Sequence, residues 1–106
     1  MAGTTLSTHV LDTAKGTPAS GLAVTLYRVG DEATPVARGV TDADGRIRDL
    51  GASLEPGSYR LVFDLTGYYG AGAYFEQVAL QLRIGSGHHH VPLLVSPFGC
   101  VSYRGS

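Results

Sequence analysis

Three long runs of the chain alternate between apolar and polar positions at period two. Leu22, Val24 and Leu26 alternate with Ala23, Thr25 and Tyr27. Tyr59, Leu61, Phe63 and Leu65 alternate with Ser58, Arg60, Val62 and Asp64, and Val78, Leu80, Leu82 and Ile84 with Gln77, Ala79, Gln81 and Arg83. Such alternation predicts strands with one face on a core and one on water. Shorter candidates are Ser7–Asp12, Val36–Thr41, Arg46–Leu50, His89–Ser96 and Val101–Tyr103, giving about seven or eight strands at the spacing of an antiparallel β-sandwich. Asp42-Ala43-Asp44-Gly45 and Glu55-Pro56-Gly57 read as turns, and Gly16–Gly21 as a further break. Thr66–Gly72 reads as a loop with at most one short helical turn.

Composition narrows the class without choosing a function. The chain has 106 residues, 43% hydrophobic and 16% charged, which suits one folded domain spanning 1–106. A chain of this size buries roughly 65% of its unfolded surface, enough for a core without metals or disulfides. The net charge of −1 offers no overall field for nucleic acid or an anionic membrane. Cys100 is the one cysteine, so no internal disulfide is expected, in keeping with a reducing compartment. Met1–Ser7 does not read as a secretory signal, no apolar run approaches ~18 residues, and the C-terminus is not of the Ser-Lys-Leu type. The expectation is a soluble, cytoplasmic protein.

The chemistry-bearing residues fall in four segments: His9-Val10-Leu11-Asp12-Thr13 with Gly16-Thr17-Pro18-Ala19; Thr41-Asp42-Ala43-Asp44-Gly45-Arg46; His90-Val91-Pro92-Leu93-Leu94-Val95-Ser96-Pro97-Phe98-Gly99; and the terminal Tyr103-Arg104-Gly105-Ser106. Taken singly, each has a plain structural reading. A lone strand histidine such as His9 is most often a surface or hydrogen-bonded residue, and Arg46 is a solvated strand-end charge. In His88-His89-His90, His88 and His90 share one strand face while His89 faces away. Two histidines would need further ligands to hold Zn²⁺.

Taken together, in this order, the four segments resemble the 5-hydroxyisourate hydrolases, a transthyretin-like family, over nearly the whole chain. The Tyr-Arg-Gly-Ser tail is the most specific part, because transthyretin itself lacks it. The resemblance implies an all-β, transthyretin-like sandwich of two antiparallel sheets. It implies a homotetramer, a dimer of dimers with sites between the dimers, and hydrolysis of 5-hydroxyisourate to 2-oxo-4-hydroxy-4-carboxy-5-ureidoimidazoline in urate degradation.

It also implies that His9 and His90 handle protons, that Arg46 orients the substrate, and that Tyr103, Arg104 and Ser106 complete the pocket. Which histidine is the base stays open, as does whether Ser106 acts chemically. No step calls for a metal or organic cofactor. His89 stands where the family commonly has tyrosine. Two other readings stay open: a transthyretin-type module binding an apolar small molecule, and a metal-binding domain using His88 and His90.

Overall fold

The period-two runs are strands in the computed structural model, which describes residues 3–51 and 53–106. The reading of the N-terminus drew partly on Met1 and Ala2, which lie outside them. In chain order the strands are β1 (Thr5–Asp12), β2 (Thr17–Pro18), β3 (Ala23–Val29), β4 (Ala33–Val40), β5 (Arg46–Ile47), β6 (Gly57–Asp64), β7 (Gln77–Ile84), β8 (His88–Ser96) and β9 (Gly99–Ser102). Between β6 and β7 lies one short helix, α1 (Leu65–Tyr69), followed by a 3₁₀ turn at Gly70–Gly72.

Two sheets form the sandwich. One runs β2-β1-β8-β9, with β5 also pairing to β1; the other runs β4-β3-β6-β7. Leu6, Val10, Leu93 and Val95 from the first sheet meet Val24, Leu26, Leu61 and Phe63 from the second, all fully buried. Each such side chain contributes about 1.5–3 kcal/mol by leaving water.

Four details differ from the sequence expectation. The pairing of β1 with β8 is parallel, whereas every other strand pair is antiparallel. The break Gly16–Gly21 contains the two-residue β2, which brings the strands to nine among the described residues. Of the expected strand Arg46–Leu50 only Arg46–Ile47 pairs regularly; beyond it the Leu50 side chain enters the core, and its N–H bonds to the Leu6 carbonyl at 2.8 Å. Leu65 opens the helix instead of ending a strand, because the Asp64 carboxylate accepts the Gly67 N–H at 3.0 Å and caps the first turn.

The buried Asp12 ties the helix to the end of β1. Its carboxylate accepts the N–H groups of Ala14 and Lys15 at 3.0 and 3.1 Å and the Tyr68 hydroxyl at 3.0 Å. A buried carboxylate so engaged avoids the cost of an unpaired one.

Candidate active site

Alternation along β1 sends Leu6 and Val10 to the core and leaves Thr5, Ser7 and His9 on the outer face. Along β8 it sends His89, Val91 and Leu93 inward and leaves His88 and His90 outside. The parallel register sets Thr5 opposite His88 and Ser7 opposite His90. The antiparallel register of β5 sets Arg46 opposite His9. Residues far apart in the chain thus share one patch of sheet.

The Asp42–Gly45 turn delivers Arg46 to that register. The Asp42 carboxylate accepts the N–H groups of Asp44 and Arg46, both at 2.9 Å. The Arg46 N–H is the main cause holding the Asp42 carboxyl below the ordinary carboxylate pKa, against some desolvation. Gly45 adopts φ 76°, which glycine tolerates without strain, and a Cβ there would strike the Val10 carbonyl oxygen. The Gly45 carbonyl in turn accepts the Val10 N–H at 2.7 Å, which docks the turn on β1.

His9 is held by the same turn, since its Nε2 lies 2.9 Å from the Asp44 carbonyl oxygen. A carbonyl oxygen only accepts, so Nε2 carries the hydrogen, and in neutral His9 the nitrogen free to accept is Nδ1. His90 is half-buried, with Nδ1 2.7 Å from the Ser7 hydroxyl. Its pKa is lowered by burial first, then by Arg46, His88 and His9, so the neutral ring is favoured. The half-buried Arg46 guanidinium makes no hydrogen bond or ion pair within the chain among the described residues.

Arg46 and His90 border a hollow of about 200 Å³, lined also by Ser7, Thr8, Ile47, Arg48 and His88. Three or more His, Cys, Asp or Glu side chains gathered as metal ligands do not occur among the described residues.

The tail reaches the same place. Past β9 it continues alongside β8, and Gly105 forms a bridge to His90 with its N–H 2.7 Å from the His90 carbonyl. A Cβ on Gly105 would lie 2.5 Å from the His90 ring carbon Cδ2, so glycine alone lets the backbone rest against the imidazole. Tyr103 and Arg104 line a different, larger hollow of about 390 Å³, with His89, Val91 and residues of β7. Successive residues of an extended chain face opposite ways, so Arg104 and Gly105 serve opposite sides of the sheet. Ser106 is exposed beyond Gly105.

Within one chain, then, His9, Arg46 and His90 come together with the Gly105 backbone, and the Arg104 side chain lies apart from them. Sequence reasoning missed Ser7 and Arg48 as neighbours of the site. The one available signal was that Ser7 shares the outer face of β1 with His9.

Residues 6–105 match the HIUase/Transthyretin family. The chain belongs to this family. The 5-hydroxyisourate hydrolase of Deinococcus radiodurans is 45% identical, the alignment covering 95% of this chain and 95% of that one. The 5-hydroxyisourate hydrolase of Pseudomonas aeruginosa is 42% identical, over 95% and 90%. The solved structure of the Klebsiella pneumoniae 5-hydroxyisourate hydrolase superposes with a TM-score of 0.89 at 38% identity, covering 97% of this chain and 99% of that one. Sea bream transthyretin in complex with thyroxine superposes with a TM-score of 0.87 at 32% identity, over 94% and 93%. The sandwich is thus common to a hydrolase and to a thyroxine-bound transthyretin, and the residues on its outer face must separate the two.

Proposed function

We propose that this chain hydrolyses 5-hydroxyisourate to 2-oxo-4-hydroxy-4-carboxy-5-ureidoimidazoline, a step of urate degradation, acting as a cyclic amide hydrolase. The observation that carries this reading is the outward-facing set His9, Arg46 and His90, held in register on β1, β5 and β8 in a chain 45% identical to a hydrolase. A hollow bordered by two guanidinium groups and two imidazoles suits a small, polar, partly anionic molecule better than the apolar ligand of a carrier.

In the proposed reaction water attacks a ring carbonyl, a C–O bond forms, and the ring C–N bond breaks. Neutral His90 is the group disposed to take a proton from the water, because burial and the neighbouring cations disfavour its charged form. His9 lies beside Arg46 and serves as the second proton-handling group. The Arg46 guanidinium orients the substrate and meets the developing oxyanion with paired donors.

The hollow is shallow for a site that must exclude water, and a second copy of the chain would cover it. We read the protein as one domain, 1–106, assembling as a cytoplasmic homotetramer, a dimer of dimers. In the assembly Arg104, Tyr103 and Ser106 complete the pocket between protomers. The direct test is the near-ultraviolet decay of freshly made 5-hydroxyisourate. Protein should accelerate it in proportion to concentration, and an unchanged decay would remove the reading.

A further inference from the structure

Four side chains on the outer face of β1 and β8 form an unbroken run of hydrogen bonds. Thr5 Oγ1 lies 2.6 Å from His88 Nδ1, His88 Nε2 lies 2.8 Å from Ser7 Oγ, and Ser7 Oγ lies 2.7 Å from His90 Nδ1. Ser7 is buried, and both imidazoles engage its hydroxyl. A hydroxyl carries one hydrogen, so between two ring nitrogens it donates to one and accepts from the other. The tautomers of His88 and His90 are therefore tied together.

Two neutral arrangements satisfy the run. In the first, His90 Nδ1–H donates to Ser7, Ser7 donates to His88 Nε2, and His88 Nδ1–H donates to Thr5. His90 Nε2 then holds a lone pair and can accept a proton. In the second, every bond is reversed and His90 Nε2–H can donate one. Gly105, packed against the Cδ2 edge of the same ring, helps to hold the imidazole in the plane that both arrangements need.

We propose that Ser7 is a positioning residue that joins His88 and His90 into one proton-handling unit, in which exposed His88 holds the proton that His90 removes from water. The proposal rests on the hydrolytic reading above. The protons balance at each step. His90 Nε2 takes a proton from the attacking water, His90 Nδ1–H passes to Ser7 Oγ, and the Ser7 hydroxyl hydrogen passes to His88 Nε2. His88 is then an imidazolium, and His90 is neutral with Nε2–H ready for the leaving nitrogen. As His90 gives that hydrogen up, the proton returns from His88 through Ser7 to His90 Nδ1, restoring the first arrangement.

The surroundings favour this division of labour. His9 from β1, Arg46 from β5, Arg48 just after it and His88 from β8 face His90 or line its hollow. A charge confined to half-buried His90 meets this mostly cationic set, whereas His88 is exposed and its charge is hydrated.

The test combines turnover of 5-hydroxyisourate between pH 5.5 and 8.5 with ¹H–¹⁵N spectra of the histidine rings, for wild type, Ser7→Ala and Ser7→Thr. Ser7→Ala should lower kcat about 10–100-fold, the usual cost of losing a group that orients a functional histidine, with KM within about twofold. Ser7→Thr keeps the hydroxyl and should restore most of the rate. In wild type the His90 ring nitrogens should respond to the titration of His88, and in Ser7→Ala they should not. Wild-type kcat and pH profile in folded Ser7→Ala would overturn the proposal. So would a wild-type His90 ring that ignores His88, which can be read even if Ser7→Ala does not fold. A wild-type protein inactive on 5-hydroxyisourate would sink the hydrolytic reading instead, a result the ring spectra cannot mimic.

Discussion

The two sheets obey the same alternation, yet their outer faces differ in kind. On the face of β3, β6 and β7 the polar groups are solvated singly or in weak pairs, such as Arg60 donating to Gln81 at 3.2 Å on the surface. On the face of β1, β5 and β8 the imidazoles are fixed by Ser7 and by the Asp44 carbonyl, and the half-buried Arg46 side chain has no partner among the described residues. Polar-out alternation therefore specifies a strand but not a site. What makes the difference is crossing: three segments distant in sequence, and then the tail, converge on His90. Each supplies a constraint that one strand cannot give itself. A preorganised cluster of this kind can act on developing charge without first reorganising, which solvated side chains cannot do.

The sharpest way to break the contrast is to remove its members. His9→Ala, Arg46→Ala and His90→Ala should each lower kcat/KM by about 10²–10⁴-fold while the protein stays folded. Arg60→Ala on the opposite face should leave turnover within about twofold and stability within about 0.5 kcal/mol. Near-wild-type rates in two of the three site variants would erase the distinction between the faces.

A smaller but clear loss is expected at the tail. Gly105→Ala places a Cβ against the His90 ring and should cut kcat about tenfold or more through the displaced imidazole, with little change in melting temperature. Deleting Arg104–Ser106, or extending the C-terminus with a tag, should also reduce turnover, whereas an N-terminal tag should be tolerated. Full activity with a long C-terminal extension would place the tail outside the site.

The pH dependence should follow from the lowered pKa of His90. Between its folded value and the ordinary one near 6.5 the unfolded chain binds more protons than the folded one, so this group's contribution to stability falls as pH falls through that window. The melting temperature should therefore drop more between pH 7 and pH 5 in wild type than in His90→Gln. Equal slopes would mean that the ring is not disfavoured as a cation. The smallest expected effect is none at all: dialysis against a strong chelator should leave rate and melting temperature unchanged, and a loss restored by Zn²⁺ would favour the metal-binding reading of His88 and His90.

The sequence by itself determined the strands with clean alternation, the Asp42–Gly45 turn and the sides on which His9, His88 and His90 emerge. These depend on local geometry: a period of two, an aspartate that accepts nearby N–H groups, a glycine free to take positive φ. The resemblance of four segments to a family pointed to His9, Arg46 and His90 before any contact was known.

Only the tertiary structure decided that β1 and β8 run parallel, that Thr17–Pro18 forms a strand, and that the chain after Ile47 leaves the ladder. It likewise revealed Ser7 between two imidazoles and set Gly105, with Arg104 turned away, against His90. Pairing direction and register are settled by which buried faces fit one another across the whole sandwich, and a single residue of slip would send a strand's outer side chains into the core. Alternation within one segment carries no record of its partner, so the meeting of Ser7, Arg46 and His90 could be seen only once the sheet was assembled.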